Sequence, residues 1–91
     1  MKYFIIEIIK PFSEGKEYRD ELQRRINSCE FEVVSICESE KQSEKENVKF
    51  IIENVKNQTH KHYEIIKGDG ISGLNGLRKK IQEFYNKIDK L

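Results

Sequence analysis

Residues 63–80 read YEIIKGDGISGLNGLRKK: a short apolar strand, a glycine-rich turn, and the opening of the longest amphipathic helix in the chain. Gly68, Gly70 and Gly73 spell G-x-G-x-x-G between strand and helix. In that setting the glycines leave backbone amides and a helix N-terminus open above the strand's end, which suits an anion. The expected ligand-binding group is therefore Gly68, Asp69, Gly70, Ser72, Gly73, Arg78 and Lys79. The amides around Gly70 to Gly73 and the Ser72 hydroxyl would hold the anion, with Arg78 or Lys79 within one turn. Asp69 would repel phosphate and face a sugar hydroxyl or an amine instead. A merely flexible connection explains the same glycines, since no strand follows the motif and no acidic residue ends a next strand to take a ribose.

Beyond the turn, Leu74, Leu77, Ile81, Phe84, Tyr85, Ile88 and Leu91 alternate in threes and fours, a broad apolar stripe opposite Arg78, Lys79, Glu83, Lys87 and Lys90. Before it, Val48, Ile51, Ile52 and Val55 recur at i, i+3, i+4 and i+7, which predicts a helix in spite of the β-branched content. Ser43 and Glu46 form a capping box for its start. Further back, Phe31, Val33, Val34, Ile36 and Cys37 make a strand. Tyr18, Leu22, Ile26 and Cys29 line one face of a helix over Glu14–Cys29, with Ser13 as its N-cap. Tyr3–Ile9 is almost continuously apolar, the mark of a central strand covered on both faces, and Pro11 ends it.

The order is thus βαβαβα, and alternating strands and helices imply parallel pairing with right-handed crossovers. The expected fold is a three-layer α/β domain spanning residues 1–91, with a short three-stranded parallel sheet of order 2-1-3. The alternative is a ferredoxin-like α+β sandwich, in which Val48–Val55 would pair as a strand. Free outer edges leave room for a homodimer formed by edge or helix packing.

Composition narrows the functions. A chain of 91 residues makes one domain with a small core. Charged residues make up 36% of it and the net charge is +1, which argues against generic nucleic-acid binding. The charge is split: residues 1–46 carry eight Lys/Arg against eleven Asp/Glu, and residues 47–91 carry nine against five. The basic half holds the glycine turn and mildly favours an anionic ligand or an acidic partner surface, although a solvated lysine-rich face is the commoner explanation. No secretory signal and no transmembrane run is present, and Cys29 and Cys37 sit among apolar neighbours, so the reading is a reduced, cytoplasmic protein. With no linker at either end, it reads as a whole protein. His60 and His62 flank Lys61 without a ligand set to complete a metal site or a nucleophile to complete a triad, which leaves surface histidines and no metal or cofactor.

Pro11-Phe12-Ser13-Glu14 after the first strand, Phe31-Glu32-Val33-Val34, and a capped second helix leading to a third strand together resemble nucleoside 2-deoxyribosyltransferase-like and TIR-like nucleotide-binding domains over residues 2–76. The resemblance implies a nucleotide framed by the turn after strand one and the loop after strand three. Those families carry a catalytic glutamate at the start of the following helix. Here that region reads Gly73-Leu74-Asn75-Gly76-Leu77-Arg78, with no carboxylate until Glu83, and two further strands are missing, so the implied glycosyl-bond chemistry is lost.

The function expected from the sequence is that of a small non-enzymatic protein that binds a macromolecular partner, a protein or a protein–nucleic acid complex, through the basic side of the last helix and the glycine turn. In size and composition it resembles phage-type inhibitors of nucleic-acid-targeting defence complexes. The alternative is a nucleotide- or phosphate-binding module using the Gly68–Gly76 loop, a catalytically dead deoxyribosyltransferase-like scaffold.

Overall fold

β1 (Tyr3–Ile8) is the centre of the molecule, paired along its length with β2 (Glu32–Cys37) on one side and β3 (His62–Lys67) on the other. The computed structural model describes residues 1–8, 16–28, 30–59, 61–70 and 75–90. Among these residues three α-helices accompany the strands, α1 (Lys16–Asn27), α2 (Glu40–Lys56) and α3 (Asn75–Asp89), with a 3-10 turn at Gly68–Gly70. Ile9, the Pro11–Glu14 turn with the Ser13 cap, Cys29, His60, Ser72, Gly73, Leu74 and Leu91 lie outside the described residues.

The strand order is β2-β1-β3, but both pairings are antiparallel, which corrects the expected parallel sheet. The near-continuous apolarity of β1 reports that both its faces are covered; it carries no information about the direction of its neighbours. Phe4, Ile5, Ile6 and Ile8 are all buried, as a strand between two helical layers requires. The ferredoxin-like alternative also fails, because residues 48–55 are helical.

Side chains alternate across a strand, so Phe4, Ile6 and Ile8 share one face and Tyr3, Ile5 and Glu7 the other. On the first face α1 and α3 contact each other, and Leu22, Ile26, Leu77, Ile81 and Phe84 close over Ile6, Ile8, Val33, Ile36 and Ile66. The second face belongs to α2, which contacts all three strands. A β-bulge serves both layers. Ile5 pairs with Ser35 and Ile6 with Val33, so Val34 is the extra residue and the alternation of β2 changes phase there. Phe31 and Val33 join the α1/α3 core, whereas Ser35 and Cys37 turn toward α2.

α2 starts earlier than expected. Its N-cap is Ser39, whose side chain accepts from the Gln42 amide at 3.2 Å; Ser43 is a buried residue of the first turns, its hydroxyl donating to Glu40 O at 2.7 Å. Ser39-Glu40-Lys41-Gln42 is itself the S-x-x-Q form of a capping box.

Candidate functional site

An apolar stripe at i, i+3, i+4 and i+7 ordinarily faces the core. In α2 it faces water: Val48 is 53%, Ile51 42%, Ile52 58% and Val55 73% exposed. The helix turns its polar side inward instead. Glu46 accepts from the Ser35 hydroxyl at 2.8 Å and from the Cys37 thiol at 2.5 Å. Phe50 stacks on Tyr63 with centroids 5.3 Å apart and planes 21° off parallel. Asn54 donates to Lys61 O at 2.9 Å and accepts from the Lys61 amide at 3.1 Å, fastening the start of β3.

The reason lies in what the sheet offers this layer. Below α2 it presents Ser35, Cys37, Glu7 and Tyr63, and the Tyr63 hydroxyl donates to Glu7 at 3.2 Å while Lys61 pairs with Glu7 at 3.1 Å. Burial, followed by the Glu7 charge, pushes the Tyr63 phenol up to about 12. Polar groups removed from water cost several kcal/mol, of order 2–7 each, unless they find partners. An aliphatic stripe against this surface would leave them without any, so α2 presents Glu46 and Asn54. The apolar stripe is then left without cover among the described residues. Four aliphatic side chains side by side on one helix form a contiguous patch, and such patches mark interaction surfaces. Charged groups line it: Glu44, Lys45 and Lys49, with Val48, border a shallow hollow on this face.

The glycine turn has a different character from the one expected. The Gly68 amide donates to Lys2 O at 2.8 Å, and a Cβ at this position would meet that same oxygen at 2.9 Å. Gly68 is therefore required for the close approach of β3's end to the start of β1. Gly68→Ala forces this backbone contact apart, with an expected loss of about 1–3 kcal/mol read as a lower thermal midpoint. Asp69 is exposed in the 3-10 turn, and Arg78 and Lys79 are exposed in the first turn of α3. No hydrogen bond or ion pair among the described residues joins Arg78 or Lys79 to Gly68–Gly70. Ser72 and Gly73, the expected centre of the cradle, lie outside the described residues. Because the sheet is antiparallel, only β2 and β3 end beside this turn and β1 begins there. The parallel-sheet argument for an anion site at this turn therefore does not apply.

Comparison with protein families, curated proteins and solved structures finds no match.

One polar cluster lies at the other end of the sheet. His62 Nε2 lies 2.7 Å from Glu64 Oε1 and 3.1 Å from the Tyr18 hydroxyl, and Arg25, 6% exposed, grips Glu21 at 2.8 Å. Burial holds the Glu64 carboxyl above its usual range; burial and then the Arg25 charge hold His62 below its own. Both directions oppose a full ion pair between the two side chains. Through the Tyr18–His62 contact the cluster ties α1 to β3. Among the described residues no group of three or more His, Cys, Asp or Glu side chains converges to hold a metal, and no helix is long and apolar enough to cross a membrane.

Proposed function

We propose that this protein works by binding, without catalysis, and that the outward face of α2 is the contact surface. The observation that carries the reading is the exposure of Val48, Ile51, Ile52 and Val55 on a helix whose inner side is committed to Ser35, Cys37, Tyr63 and Lys61. α2 cannot roll to bury the stripe without stripping those groups of their partners, so any cover comes from outside the described elements. Anchors at i, i+3, i+4 and i+7 are the pattern by which a helix enters an apolar groove. Relative to the sequence reading, the docking surface moves from the basic side of α3 to the outer side of α2.

The test uses the full chain as bait in extract of the cells that make it, alongside Ile52→Glu. Glutamate is a good helix former and residue 52 points to solvent, so the variant keeps wild-type circular dichroism and thermal midpoint. The expected result is a polypeptide, which can be further copies of this chain, held by the wild type and released at least tenfold by Ile52→Glu. Equal retention by both baits overturns the assignment to α2.

A further inference from the structure

Along α2, positions 45, 48, 52 and 55 follow one another at steps of three, four and three, the spacing of a seam between two helices. This row lies opposite the side defined by Ser43, Asn47, Phe50 and Asn54, and Val48, Ile52 and Val55 in it are more than half exposed. One flank of the row carries Glu44 and Ile51; the other carries Lys49 and Lys56. None of Glu44, Lys45, Lys49 and Lys56 makes an ion pair among the described residues.

The flanking charges distinguish the ways in which two such rows can meet. A two-fold axis along the helices makes them parallel and brings the Glu44 flank of each against the Lys49 flank of the other. Flanking positions five residues apart are those that pair across a parallel seam, and Glu44 and Lys49 have that spacing. A two-fold axis across the helices makes them antiparallel and sets lysine flank against lysine flank.

We propose, building on the docking reading above, that a second copy of this chain covers α2, the two α2 helices packing in parallel with Glu44 of each beside Lys49 of the other. The pair of domains then forms a sheet–helix–helix–sheet stack with the α2 layers in the middle. Lys45 keeps its stem in the seam and carries its ammonium out to water, and a polar residue in a seam fixes register and copy number at a cost in stability. Two heptads of contact bury less than the roughly 1,600 Å² of a standard interface, so the dimer is reversible and its population follows concentration.

Sedimentation of the purified full chain between about 10 μM and about 1 mM, a range that spans the micromolar to millimolar dissociation constants of a weak association, tests this. The expected result is a mass rising toward twice that of one chain, and Ile52→Glu remaining monomeric throughout. Glu44→Lys alone weakens the dimer about fivefold by opposing like charges, and adding Lys49→Glu to it restores association. Val48→Cys, in a chain with Cys29→Ser, cross-links to itself under mild oxidant in the parallel arrangement, where residue 48 meets its own copy. A chain that stays monomeric, or a dimer indifferent to Ile52→Glu and to the charge exchange, overturns the second-copy inference. If the purified chain is monomeric while the bait still holds another polypeptide in an Ile52-dependent manner, this inference falls and the docking reading stands. Retention independent of Ile52 removes both.

Discussion

Ile6→Ala is expected to lower the free energy of unfolding by about 2–5 kcal/mol, the range for deleting a fully buried aliphatic side chain in a core. Ile6 is 0% exposed in the central strand and meets Val33 across the bulge, so the vacated space is walled by helices on one side and strands on the other. Against a total of about 5–13 kcal/mol for a domain this size, that is a large share of what holds the chain folded, at least about a seventh of it. Ile52→Ala makes the same chemical change on the outer side of α2, where the residue is 58% exposed. Its expected cost in dilute solution is within about 0.5 kcal/mol, since surface substitutions away from special features rarely do more. Urea midpoints of the two variants decide the matter. Comparable losses would mean that α2 lies the other way round, with its aliphatic stripe inward, and the docking surface would vanish with it.

Glu46→Ala carries the second largest expected loss, about 2–3 kcal/mol. The carboxylate is the partner of both the Ser35 hydroxyl and the Cys37 thiol, and removing it strands two donors under the helix. Those two bonds, the thiol's first, hold the Glu46 carboxyl below its ordinary value of 4.5. A depressed folded-state value means stability that is present above the unfolded value and is lost as pH falls through the folded one. The difference between wild type and Glu46→Ala should therefore be full at neutral pH and shrink on acidification below 4.5. Glu46→Gln keeps an acceptor in place and should lose less, with no such dependence on acid. A gap between wild type and alanine variant that stays constant down to strongly acidic pH would show that Glu46 acts by packing alone.

The strands and helices were legible because each rests on a local pattern: β1 on its β-branched run, α3 on a stripe that does face the core at Leu77, Ile81 and Phe84, and β3 on His62–Lys67. Strand direction was not, since a chain that alternates strand and helix reads the same whether each connection crosses the sheet or returns to the same end. The start of α2 was misplaced by four residues because two serines, Ser39 and Ser43, each precede a plausible partner three positions on, and only burial separates the cap from a residue inside the helix. The outer face of α2 was the harder omission. Glu46, Asn47, Phe50 and Asn54 also recur at threes and fours, so residues 43–55 contain two interleaved rows. Which row turns inward depends on Ser35, Cys37, Glu7 and Tyr63, which lie distant in sequence and share a layer only after the sheet has formed. The glycine motif has the spelling of a phosphate-binding turn, yet the role visible for Gly68 is close backbone contact with Lys2.

Val34 is the spare residue of a strand that serves two layers. Because the bulge shifts β2 by one residue in mid-strand, six consecutive positions supply hydrocarbon to one layer and hydroxyl and thiol to the other. Exchanging one side chain in 32–37 for another of similar size disturbs a single contact. Deleting Val34 would leave Val33 opposite Ile6 and Ser35 opposite Ile5, a regular ladder with both halves still in their own layers, whereas deleting Ile36 would carry a hydroxyl or a thiol into the hydrocarbon layer. The bulge is thus the position in this strand where the chain can shorten by one residue without exchanging its two linings.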